Sequence, residues 1–71
     1  MRILGIDPGY AIVGYGIIES RNSRFTTIAY GAITTPAEMD FNNRLCEIYH
    51  DMCYLLDTYK PEQMAVEKLF F

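Results

Sequence analysis

The chain has 71 residues, with six basic and nine acidic side chains and a formal net charge of −3. Hydrophobic residues make up 51%, aromatics 14% and charges 21%, a globular composition that excludes a disordered chain, a coiled coil or a collagenous repeat. The length holds one domain at most, the acidic balance argues against a strongly basic nucleic-acid surface within these residues, and no apolar run approaches the roughly 18 residues of a membrane span.

The opening MRILGIDPG carries one Arg and a short apolar run broken by Asp7 and Pro8, unlike an export leader. Cys46 and Cys53 lie seven positions apart on a predicted helix, a rise of about 10.5 Å. That exceeds the roughly 7 Å Cα reach of a disulfide. They read as two small apolar residues in a reducing compartment, and the expected location is the cytoplasm, with no membrane association.

Residues 2–7 read as a short buried strand ending in an acid. Asp7-Pro8-Gly9-Tyr10 suits a type II turn, with Gly9 taking positive φ. Residues 11–19 read as a second strand, Ser20-Arg21-Asn22-Ser23 as a polar turn, and residues 24–34 as a third strand. Such short turns pair strands antiparallel. Thr35-Pro36-Ala37-Glu38 has the form of a capping box with Pro at the first helical position, and Asp40 is a second candidate cap. In the helix body, Phe41, Leu45, Ile48, Tyr49, Met52, Leu55, Leu56 and Tyr59 fall within an arc of about 120°, the width of a core-facing stripe. Pro61 stops the helix. His50 lies on the polar side, with no ligand-spaced partner, and reads as a surface histidine. Residues 63–67 form a fourth strand, again ending in an acid.

The order is therefore β-β-β-α-β. The helix returns the chain, so the fourth strand runs parallel to the first and fits on its open edge, giving the spatial order 3-2-1-4. Asp7 and Glu67 then emerge at the same sheet edge on strands about 4.8 Å apart, where open α/β sheets place their sites. Adjacent carboxylates repel, and a divalent cation removes that penalty. Mg²⁺ takes a few carboxylates, waters and phosphate oxygens. Two such ions about 3.5–4 Å apart can hydrolyse a phosphodiester. The plainer alternative is a turn-forming Asp and a solvated Glu. Gly14 and Gly16 share one face of the second strand, which marks close backbone approach by substrate or by a packed helix.

The run Ile3-Leu4-Gly5-Ile6-Asp7-Pro8-Gly9, followed by Gly14-Tyr15-Gly16-Ile17-Ile18-Glu19, strongly resembles the opening of the RuvC Holliday-junction resolvases. Lys60-Pro61-Glu62 leading into Ala65-Val66-Glu67-Lys68-Leu69-Phe70-Phe71 is similar to a second stretch of that family, and the likeness covers the whole chain in register. The resemblance implies an α/β, RNase H-like mixed sheet, with residues 1–71 as the N-terminal part of a single nuclease domain, incomplete at the C-terminus. It implies a homodimer that resolves four-way DNA junctions in recombination and repair, with two Mg²⁺ ions per complete site, Mn²⁺ as a substitute, and branch-migration helicase components as partners. Asp7 and Glu67 occupy the family's metal-ligand positions. Phe70 matches an aromatic that stacks near the junction centre, where base stacking is worth about 1–3 kcal/mol. Phe71 reads as core, and Lys68 as a phosphate contact or a solvated lysine.

A fifth strand, further helices and two late acids, often spaced D-x-x-D, belong to the family pattern and have no counterpart in these residues. The 71 residues alone are therefore expected not to cleave DNA, and much of the family's basic surface is expected to lie in that further part. An actin-like or sugar-kinase ATPase is the alternative from another class. Its phosphate loop usually carries Ser or Thr where this chain has Tyr10. A non-catalytic DNA-binding relative and an RNase H-like nuclease acting on RNA are the nearer alternatives.

Overall fold

The computed structural model describes residues 1–9 and 11–67. The elements run β1 (Arg2–Asp7), β2 (Ile12–Arg21), β3 (Arg24–Thr34), α1 (Phe41–Tyr59) and β4 (Gln63–Val66). The strands form one sheet in the order β3-β2-β1-β4, as the sequence predicts. β1 and β2 pair antiparallel from Arg2↔Glu19 to Asp7↔Gly14. β4 adds parallel to β1, from Ile3↔Gln63 to Ile6↔Val66.

The β2–β3 turn is tighter than the polar run 20–23 suggests. Asn22 and Ser23 have φ of 53° and 64°, and positive φ at both central residues is the signature of a type I′ hairpin turn. Its twist matches the flanking strands, so the ladder continues to the Arg21↔Arg24 pair. No glycine among the described residues has positive φ, which corrects the type II turn expected at Gly9.

Strand alternation places Leu4, Val13, Ile17 and Ile33 on one sheet face, where they meet Leu55 of α1. Leu4 and Ile17 are opposite each other in the ladder and fully buried. In the protein expressed from its whole reading frame, Leu4→Ala is expected to cost about 2–5 kcal/mol. The loss would be read as a lower urea midpoint without a change in slope.

The helix begins at Asp40, not Thr35. The Asp40 side chain accepts from the Asn43 amide at 3.3 Å. Thr35 is unavailable as a cap because its hydroxyl donates to the Ala11 carbonyl and accepts from Arg44. Lys60 closes the helix in the left-handed region, with its amide bonded to the Leu56 carbonyl at 2.9 Å.

The predicted apolar stripe splits along its length. Ile48, Met52, Leu55 and Tyr59 pack on the sheet, whereas Phe41, Leu45 and Tyr49 are exposed. Arg44, which the hydrophobic period leaves out, is only 2% exposed. At 100° per residue, Arg44, Ile48, Met52, Leu55 and Tyr59 span about 80°, and Leu45, Tyr49 and Leu56 lie on the flank of that arc. The sheet covers only part of the stripe. Cys46 and Cys53 are free thiols. No helix among the described residues is long and apolar enough to cross a membrane.

Candidate metal centre

Asp7 ends β1, and the parallel ladder carries Glu67 to its side: the Glu67 amide donates to the Ile6 carbonyl at 3.0 Å, one step beyond the last strand pair. A hydrogen bond to Asp7, then the Asp7 charge, then partial desolvation, push the Glu67 carboxyl above its ordinary value. Both residues are exposed at the sheet edge. Two carboxyls placed together repel, and a bound cation would relieve that penalty.

The pair opens onto a shallow cavity of about 590 Å³ whose lining includes Gly5, Gly14, Gly16 and Ala65. Gly14 sits opposite Asp7 in the ladder. A Cβ there would lie 3.6 Å from the Asp7 Cβ, an ordinary contact, and a Cβ at Gly16 would meet nothing within 4 Å. Both glycines alternate with the core residues Val13 and Ile17, so they occupy the face away from α1. Helix packing by α1 therefore does not account for them. A cavity of about 660 Å³ at the opposite end of the sheet is lined by Glu19, Arg21 and Arg24. Its acid is already paired with the N-terminal amine at 2.8 Å, which holds the Glu19 carboxyl below its usual range.

Two of the described residues between Asp7 and β2, Gly9 and Ala11, are closely constrained. A Cβ on Gly9 would come within 2.3 Å of the Ile12 carbonyl oxygen, so the position needs glycine for space rather than for positive φ. Further on, the Ala11 carbonyl accepts from the Thr35 amide at 3.0 Å and from its hydroxyl at 3.4 Å. Arg44 Nη1 donates to that hydroxyl. Thr35 and Arg44 were not among the sequence candidates. The available signal was an Arg one turn before Ile48, on the face that proves to be buried.

His50 is exposed, beside Asp51 at 3.6 Å. Among the described residues no group of three or more His, Cys, Asp or Glu side chains could hold a metal ion. The two carboxyls are nonetheless hard oxygen donors in contact, a set that fits Mg²⁺, which is often held by one or two carboxylates together with waters and substrate phosphates. Lys68, Phe70 and Phe71 lie outside the described residues, as does Tyr10.

The family model described as crossover junction endodeoxyribonuclease RuvC matches residues 3–71. A protein of that name from Halothermothrix orenii is 51% identical over 71 residues, covering 100% of this chain and 43% of the relative. Its counterpart from Clostridioides difficile is 52% identical over the same length, covering 42% of that protein. This chain thus spans less than half the length of these curated relatives. A structure of T. thermophilus RuvC in complex with Holliday junction substrate superposes with a TM-score of 0.90 at 25% identity, over 100% of this chain and 46% of that one. A Ppx/GppA family member from Aquifex aeolicus reaches 0.70 at 20% identity, over 93% of this chain and 25% of its own length, a likeness of fold alone. The ATPase alternative is not favoured by these matches. With a family match over nearly every residue and a structure that superposes over the whole chain, the chain belongs to the RuvC family and has its RNase H-like fold.

Proposed function

We propose that these residues form the N-terminal part of a single nuclease domain that resolves four-way DNA junctions in recombination and repair, by Mg²⁺-dependent phosphodiester hydrolysis. The supporting observation is the carboxyl contact between Asp7 and Glu67 at one sheet edge, beside a face floored by glycine and alanine. Asp7 and Glu67 would hold the metal. A divalent ion bound there would activate water and stabilise the leaving oxygen, and Mn²⁺ would substitute for Mg²⁺.

The rest of the chemistry belongs to this chain's own residues. Asp7 supplies a charged oxygen at a fixed point of the sheet edge. Glu67 supplies a second carboxyl oxygen beside it. The small residues at Gly5, Gly14, Gly16 and Ala65 leave the sheet surface clear for a sugar-phosphate backbone to approach both acids. Lys68 would add a phosphate contact and Phe70 a stacking surface for a junction base. A homodimer and branch-migration helicase components complete the proposed assembly.

The test is cleavage by the protein expressed from its whole reading frame. Four-way junctions should be cut in Mg²⁺ or Mn²⁺ and spared in EDTA, with linear duplex and RNA cut far more slowly. Equal cutting of RNA would reassign the substrate. Gly16→Ala is expected to leave stability within about 0.5 kcal/mol and to weaken junction binding, measured by gel shift. A fall in stability with unchanged affinity would return Gly16 to protein packing.

A further inference from the structure

The chain passes from Asp7 into β2 across a connection of four residues, 8–11. Its far end is fixed by the Ala11 carbonyl, which takes two hydrogen bonds from Thr35. The Thr35 hydroxyl uses its proton on Ala11, and its lone pair accepts from Arg44 Nη1. Arg44 Nη2 spreads over the carbonyls of Pro36 at 3.0 Å, Ala37 at 3.3 Å and Met39 at 3.3 Å. Its own amide is in the first turn of α1, bonded to the Asp40 carbonyl at 3.0 Å. The guanidinium is planar and permanently charged, so it can orient several acceptors at once.

Thr35 is 7% exposed and Arg44 2%, too buried to touch a metal ion or DNA. A charge is costly to bury, and this one is placed where it locks the β3–α1 turn onto the connection that leaves Asp7. We infer that Arg44 and Thr35 are positioning residues for the Asp7 carboxylate, acting from α1 through the Thr35 hydroxyl and the Ala11 carbonyl. This rests on the reading of Asp7 and Glu67 as metal ligands. The two residues set how well the acid pair is preorganised for the cation.

The experiment uses protein expressed from its whole reading frame. Thr35→Val removes the hydroxyl and keeps the shape, Thr35→Ser restores the hydroxyl, and Arg44→Lys keeps the charge but loses the planar fork. Mg²⁺ is titrated into metal-free protein and followed at the Asp7 and Glu67 amide resonances, alongside thermal midpoints and junction cleavage. Thr35→Val should weaken Mg²⁺ binding about tenfold, as loss of a group supporting a metal ligand does, and Thr35→Ser should stay within about twofold of wild type. Arg44→Lys should resemble Thr35→Val, and if it fails to fold the two Thr35 variants carry the test. A Thr35→Val protein with a lower midpoint but unchanged Mg²⁺ affinity and cleavage would overturn the inference and leave the nuclease reading standing. Weakened Mg²⁺ binding in a protein whose wild type binds the ion but cuts no junction would support the positioning role and sink the nuclease reading. A wild type that binds no Mg²⁺ at Asp7 and Glu67 would overturn both.

Discussion

Asp7→Asn is expected to abolish junction cleavage while leaving junction binding in place. The substitution keeps the side-chain shape and removes the charge that would hold the cation. A metal ion contributes several kcal/mol to stabilising the transition state of phosphodiester hydrolysis. At about 1.4 kcal/mol per tenfold, its loss corresponds to a rate decrease of about 10³-fold or more. Binding should survive because junction affinity comes chiefly from phosphate contacts made elsewhere on the surface. Asp7 is exposed at the end of β1, so the fold should tolerate the change. Single-turnover cleavage and gel shift on the same preparation check both halves. Substantial cleavage by Asp7→Asn would place the chemistry elsewhere.

Glu67→Gln should lose cleavage in the same way, with an opposite effect on the metal-free fold. The Glu67 carboxyl is raised above its ordinary value of 4.5 by its hydrogen bond to Asp7 and then by the Asp7 charge. A group with a raised folded-state pKa contributes stability that is fully present below its unfolded value and is lost as pH rises through the folded one. In EDTA, wild type should therefore lose this contribution on going from pH 4 to pH 7. The glutamine amide donates a similar hydrogen bond at every pH and carries no charge. Glu67→Gln should accordingly be the more heat-stable protein at pH 7, with the difference closing toward pH 4. Saturating Mg²⁺ should reverse the order at pH 7, because only the wild-type pair gains binding free energy. Thermal midpoints at the two pH values, with EDTA and with Mg²⁺, decide it. A wild type more stable than Glu67→Gln in EDTA at pH 7 would mean that the carboxyl contact does not govern Glu67.

The local signals in this chain and its tertiary arrangement carry different information. Apolar alternation in residues 2–7 and 24–34, the helical period from Phe41 to Tyr59 and the stop at Pro61 each depend on neighbours within a few positions. They were legible for that reason. The juxtaposition of Asp7 with Glu67 was legible too, because short turns and a single helical crossover leave one open edge beside β1. The helix cap was not. Both Thr35 and Asp40 carry suitable side chains, and Thr35 loses the role only because its hydroxyl serves Ala11 and Arg44.

The buried face of α1 shows the same division. Periodicity located an apolar stripe, but the sheet covers only its Ile48–Met52–Leu55–Tyr59 side, while Arg44 on the same arc is buried against residues 35–39. Hydrophobicity counts residues one at a time, whereas burial depends on the width of the surface opposite. Gly9 carried a turn signal, yet the constraint on it is the Ile12 carbonyl, an atom whose approach no local pattern reports. The sequence by itself determined the element order, the strand order and the adjacency of the two acids, all consequences of local periodicity and chain connectivity. The tertiary structure alone decided which carboxyl is raised, which hydroxyl is committed and how the connection leaving Asp7 is anchored. Those depend on hydrogen bonds between groups distant along the chain, formed only once the helix has settled on the sheet.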